Sequence, residues 1–157
     1  MCCPPALVGP YWERLCPRAK FGRFREEVGG SMEAVKLDHL SGQANCHQPG
    51  NFSSKRGCKG KDIWVFWRNA SNTILLPMDQ SSRYTIPGYD AQSSEVVLSG
   101  FPNPLHLSSG QQLRMWYEED PNDKSESDNG GTSCADVLVK YLWTQCRASS
   151  PFFLFLS

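Results

Sequence analysis

The sequence predicts an all-β protein: an antiparallel β-sandwich or jelly roll of about 6–8 short strands, with irregular N- and C-terminal tails. Three observations predict it. Short alternating apolar runs recur along the chain with turn residues between them. The 11 prolines and 13 glycines, among many Ser and Asn, are the punctuation of a turn-rich chain. No apolar segment of helical period and length follows residue 40. A chain of 157 residues suits a single domain and can bury a core.

Residues 1–31 mix Pro, Gly and isolated aromatics with Arg14, Arg18, Lys20, Arg23 and Arg25, without clear period. They are expected to be a poorly ordered or non-native leader. A short helix from Arg18 to Val28, stopped by Gly29-Gly30, is allowed. Residues 32–142 form the expected β-sandwich domain. Met32 to Leu40 is a candidate first strand, with Ala34, Lys36 and Asp38 opposite Val35, Leu37 and His39; a short helix is equally allowed. Residues 41–61 read as a loop.

Asp62 to Arg68 is the clearest strand. Ile63, Val65 and Trp67 point one way, Trp64 and Phe66 the other, so both faces expect cover. Asn69-Ala70-Ser71-Asn72 turns the chain, and Thr73 to Leu76 returns as the partner of a hairpin. Arg83 to Ile86, Glu95 to Ser99, Leu105 to Leu107, Gln111 to Glu118 and Ala135 to Leu142 complete the set. Residues 143–157 are expected to be a tail.

Lys plus Arg equals Asp plus Glu, 16 of each, so net charge points to neither nucleic acid nor an acidic partner. The distribution is uneven: ten of the 16 cations precede residue 62, and seven of the 16 acids fall in 118–136. No run reaches the roughly 20 apolar residues of a membrane helix, and no apolar h-region marks a signal peptide.

Seven cysteines is an odd number. Cys46, Cys58, Cys134 and Cys146 lie in or beside the strand-rich part and are the disulfide candidates. A bridge closing the Cys46–Cys58 loop would stabilise by roughly 2–3 kcal/mol. Asn51-Phe52-Ser53 and Asn69-Ala70-Ser71 are glycosylation sequons. Cysteines and sequons together favour an oxidising, extracellular setting. The lack of a signal peptide is reconciled if the chain is a fragment or carries a wrong first exon.

The densest chemistry is the loop from Tyr117 to Asp136. Six acids crowd 118–128 with Lys124 as the one cation there. Such a loop stays solvated, or a cation neutralises it. Calcium takes six to eight oxygens in flexible geometry. Glu118, Asp120, Asp123, Asp128 and Asp136 are the candidate ligands, with Asn122 or Asn129 as neutral donors. The EF-hand spacing fails, because Ser125 stands where the glycine belongs.

Other chemistries are weaker. Seven loop acids always supply a pair at glycosidase spacing, so that signal is unspecific. No G-x-S-x-G elbow, C-x-x-C pair or P-loop occurs. His106, between two leucines, reads as an exposed or satisfied histidine. Lys55-Arg56-Gly57-Cys58-Lys59-Gly60-Lys61 reads as a solvated basic loop, with a sulfated-glycan site or a nuclear signal as alternatives. Trp64, Trp67, Trp116 and Tyr117 could stack on sugars, but core packing is their more ordinary fate.

Leu113-Arg114-Met115-Trp116-Tyr117-Glu118-Glu119-Asp120, followed by Glu126-Ser127-Asp128-Asn129-Gly130-Gly131 and Cys134-Ala135-Asp136-Val137, resembles CUB-like extracellular modules, over residues 35–142 at most. The resemblance implies a disulfide-bonded jelly-roll sandwich that binds proteins or glycans, in many members through calcium. The expected function is therefore a non-enzymatic extracellular recognition or adhesion module. Its acidic, calcium-binding loop would contact a protein or glycan. The alternatives are a carbohydrate-active enzyme using loop carboxylates and a structural matrix domain.

Overall fold

The computed structural model describes residues 11–15, 21–25, 29–45, 53–58, 60–78, 83–117 and 130–142. Among them lie eleven strands: β1 (Tyr11–Leu15), β2 (Phe21–Arg25), β3 (Gly30–Asn45), β4 (Ser53–Ser54), β5 (Gly57–Cys58), β6 (Val65–Asn69), β7 (Ile74–Leu76), β8 (Glu95–Leu98), β9 (Leu105–Leu107), β10 (Gln112–Tyr117) and β11 (Gly130–Tyr141). Every pairing is antiparallel. The all-β expectation holds. The strand number is higher than expected, and β3 and β11, of 16 and 12 residues, are not short.

One sheet runs β1-β11-β3-β4-β5, with β8 and β9 also paired to β3; the other runs β2-β10-β6-β7. Both sheets feed one core. Val35, Leu37, Val137 and Val139 come from the first, and Val65, Trp67, Leu113 and Met115 from the second. The alternation expected for 32–40 and 135–142 is present: Leu37 and Val137 are buried, while Lys36, Asp38, Asp136 and Leu138 are partly exposed.

Two irregularities explain where the alternation slips. Ala135 pairs with His39 while Cys134 pairs with Ser41, so Leu40 is an extra residue in β3. Tyr141 pairs with Met32 while Lys140 pairs with Ala34, so Glu33 is a second. Each bulge reverses the parity of the buried face. Leu40, on the first bulge, is left 41% exposed.

Two strands lie within the span expected to be a leader, residues 1–31. Tyr11–Leu15 pairs with β11, and Phe21–Arg25 pairs with β10. Their short mixed sequences carry little strand signal of their own; the ladders of distant strands supply it. The strand at 21–25 also excludes a helix running through Arg18 to Val28. The same reason corrects the loop expected at 41–61. Ser41–Asn45 continues β3 because it pairs with Gly130–Cys134, residues also expected to turn rather than extend.

The hairpin expected after Asp62 is found as β6 and β7. Asn72 takes a positive φ of 67° in its turn, a conformation Asn tolerates. Both faces of β6 are covered: Val65, Phe66 and Trp67 are all at 2% exposure or less. Residues 83–86 do not form the strand expected there; a single bridge joins Ile63 to Tyr84. Pro87-Gly88 ends the run before a longer ladder can form.

Candidate functional site

The sequence placed a site in the acidic loop. Glu118, Asp120, Asp123 and Asp128 lie outside the described residues, as do Asn51, Cys46 and Cys146. Asp136 is described. It stands six positions after Gly130 in β11, about 20 Å along an extended strand. It is in register with Arg14 of β1 and Asp38 of β3. Asp38 in turn is in register with Glu95 of β8. Lys36 bridges Asp38 at 3.1 Å and Glu95 at 2.9 Å. Those bonds, Glu95 first, raise the Lys36 ammonium above its ordinary pKa. Asp136 therefore belongs to a charged row across the exposed face. Among the described residues no group of three or more His, Cys, Asp or Glu is arranged to hold a metal ion.

Asn69 ends β6, and its side-chain carbonyl accepts a 2.9 Å bond from the Thr73 N–H. The turn after it, Ala70 to Thr73, is exposed. Cys58 and Cys134 are both disulfide-bonded. His106 is exposed, and His39 Nε2 lies 2.8 Å from the Gly42 carbonyl. Trp64, Trp67, Trp116 and Tyr117 are all under 9% exposed, so they pack rather than offer open faces.

Sequence reasoning missed the polar centre between the sheets. The basic run at 55–61 is not a solvated loop, because Arg56 is fully buried. Its Nη2 donates to the Leu37 and Ser94 carbonyls, each at 2.9 Å. Its backbone N–H donates to Ala91 O, and its carbonyl accepts from Trp64 N. Ser54 Oγ donates to Gly57 O at 2.7 Å and Ser133 Oγ to Lys55 O at 2.8 Å. One guanidinium thus ties the β4–β5 hairpin to β3 and to the segment before β8. Burial lowers the Arg56 pKa, and Tyr117 opposes that shift; the group stays charged at neutral pH. The local sequence shows its charge but not the carbonyls that receive it.

Tyr84 and Tyr117 face the same centre. The Tyr84 hydroxyl donates to Val65 O. Burial raises both phenols above the ordinary 10, and the positive charge of Arg56 offsets part of this. Unfolded tyrosines ionise near pH 10 while the folded ones stay protonated. Their contribution is fully present below pH 10 and is lost as pH rises beyond it. The unfolding free energy from urea titrations is expected to fall between about pH 10 and 11.5, by up to ~1.4 kcal/mol per pH unit for each tyrosine. Tyr84→Phe should flatten that slope; an unchanged slope would remove Tyr84 from the account.

The face of the second sheet that carries Phe66 and Trp116 has a different chemistry. Arg114 of β10 is directly opposite Arg68 of β6 on one side and Arg23 of β2 on the other. Arg68 is buried, with its Cζ 5.3 Å from the Trp116 ring centroid. Its Nη1 donates to Asn72 O at 3.2 Å. Arg114 is half-buried and Arg23 exposed. Beside them Phe66 meets Tyr84 edge-on at 5.7 Å.

No protein-family model matches the chain, and no curated protein sequence matches it. Among solved structures it is similar to AJLec from the sea anemone Anthopleura japonica, a protein named as a lectin. The two are 31% identical; the match covers 83% of this chain and 93% of that one, with a TM-score of 0.74. Identity at that level over nearly the whole of the other protein is more than a shared fold: the chain belongs to the family of AJLec.

Proposed function

We propose that this protein is a non-enzymatic extracellular recognition module, an antiparallel β-sandwich whose ligand is a glycan. The likeness to AJLec carries this reading. The two antiparallel sheets that share a core support the sandwich, and the resemblance to CUB-like modules supports the extracellular class. The exposed turn that follows the Asn69 sequon suits a secreted chain. Among the described residues no helix is long and apolar enough to cross a membrane.

A glycan array read with the labelled protein tests the reading. Binding that a soluble form of the same sugar competes away is the expected result. No binding to any glycan overturns it, and release of shortened sugars from the bound glycans would replace it with the enzyme alternative.

Calcium held by the acidic loop belongs to the same proposal. Its affinity is expected near those of extracellular modules, roughly 10⁻⁴–10⁻³ M. Five millimolar calcium should then stabilise the fold by roughly 1–2 kcal/mol, reversed by chelator. An unchanged melting temperature removes the metal and leaves glycan binding intact.

A further inference from the structure

The hairpin of β6 and β7 turns through one of the two sequons, Asn69-Ala70-Ser71. Asn69 closes that turn three times over. Its backbone N–H donates to Thr73 O, its carbonyl accepts from the Asn72 N–H, and its Oδ1 accepts from the Thr73 N–H at 2.9 Å. Only the oxygen arm of a side-chain amide can receive a backbone N–H. The planar amide therefore turns Nδ2 away from Thr73. Asn69 is half-buried, and Ala70 to Thr73 are exposed. Among the described residues no partner holds Nδ2.

We propose that Asn69 carries an N-linked glycan on Nδ2, and that this glycan shields the open edge of β7. Such a glycan is added in the secretory pathway, so the extracellular reading above is its premise. Two features support the modification. The attachment atom points out of a turn whose backbone bonds stay intact when it is occupied. Cys58 and Cys134 are disulfide-bonded, which suits a chain folded in the oxidising compartment where the sugar is attached.

The edge explains what the sugar does. β7 is the last strand of the second sheet, and among the described strands it pairs with β6 alone. Its residues, Ile74, Leu75 and Leu76, are all apolar, and the first two are only half-buried. A bare apolar edge is a template for another chain, and edges are ordinarily blunted by charge, proline or bulges. Pro77 and the extra residue Leu75 guard the far end of β7. The near end carries no charge. It lies beside Asn69, because Arg68, the preceding residue, is in register with Ile74. A bulky, solubilising sugar on Asn69 would overhang this unguarded half.

The test uses the full chain, led into the secretory pathway of cultured animal cells by an added signal sequence. Peptide N-glycosidase converts a glycosylated Asn to Asp. Trypsin cuts after Arg68 and Arg83, so the peptide 69–83 holds this sequon apart from the one at Asn51. Asp at position 69 is the expected result. Ser71→Ala should abolish the conversion and melt with the enzymatically trimmed wild type, because Ser71 is exposed and Asn69 keeps its bond to Thr73. Asn69→Gln is the poorer variant, since its longer side chain loses that bond. Sedimentation velocity then compares the glycosylated protein with Ser71→Ala. The bare protein should self-associate with a dissociation constant about tenfold lower, the equivalent of one net backbone hydrogen bond. Hydrogen exchange at residues 74–76 should slow as Ser71→Ala is concentrated.

A secreted protein whose Asn69 stays unmodified overturns this inference and leaves the recognition module standing. Retention of every form in the cell as misfolded chain overturns the extracellular reading and this inference together. Self-association that is unchanged without the glycan, or exchange that slows elsewhere than at β7, overturns the shielding and keeps the modification.

Discussion

Replacing Arg56 with alanine is expected to lower stability by about 3–5 kcal/mol, measured by urea denaturation at pH 7. Two carbonyls, Leu37 O and Ser94 O, lose a donor from a fully buried side chain. Each buried acceptor left without that donor costs about 1–3 kcal/mol, and the volume of the lost side chain adds a cavity term. A chain of this length should melt about 8–16 °C lower. Arg56→Lys keeps the charge but offers an ammonium in place of the fork and should fall between. Lys55→Ala, one residue earlier and partly exposed, should change stability by less than about 0.5 kcal/mol. If Arg56→Ala costs under 1 kcal/mol, the guanidinium is not what joins the hairpin to β3.

The second large effect is expected at Gly42. A Cβ there would sit 2.1 Å from the Thr132 carbonyl oxygen, and the backbone has φ of +75°. Across the same ladder, a Cβ on Gly131 would meet Gln43 O at 2.3 Å with φ of +79°. The two glycines let β3 and β11 approach closely where Ser41–Asn45 pairs with Gly130–Cys134. Gly42→Ala must bear the strain of a left-handed alanine, about 1–3 kcal/mol. It must also push a main-chain oxygen aside, loosening ladder bonds worth about 0.5–1.5 kcal/mol each. The sum is on the order of 3–5 kcal/mol.

Gly100 supplies the comparison. Its φ is +72°, yet nothing lies within 4 Å of its would-be Cβ. Gly100→Ala should therefore cost only the conformational part, about 1–3 kcal/mol. Equal losses at Gly42 and Gly100 would mean that the strand approach adds nothing.

What could be read in advance followed locality. β6 and β7 were legible because apolar residues, turn and return lie within one short stretch. β10 and the second half of β11 were legible because alternation survives along them. β1, β2 and the Ser41–Asn45 end of β3 were not, because their strand character comes from partners far away in sequence. The extra residues Glu33 and Leu40 also break the period a reader looks for.

The site was legible in a different measure. Asp136 was singled out for its acid neighbours in sequence, but its neighbours in register are Arg14 and Asp38. Arg56 looked like one more cation of a surface run. Its partners Leu37 and Ser94 stand 19 and 38 positions away, beyond any local pattern. The row Arg23–Arg114–Arg68 is likewise invisible in sequence, since each arginine sits on a separate strand.

The long strand β3 carries a consequence for how the molecule assembles. One edge of β3 meets β11 over nearly its whole length, while the other is tiled by β9, β8 and β4 at Gly30–Met32, Val35–Asp38 and Ala44–Asn45. Both flanks are thus recruited from segments that follow it, most of them long after. Only the two-residue pairing with β4 is close in sequence, so the loop entropy of bringing β11 back to β3 comes before most of the reward. Refolding on the millisecond-to-second scale follows from such topology. Once assembled, amide protons in the middle of β3 should exchange only when the whole domain opens, whereas those of the small tiles along its edge escape by local fraying.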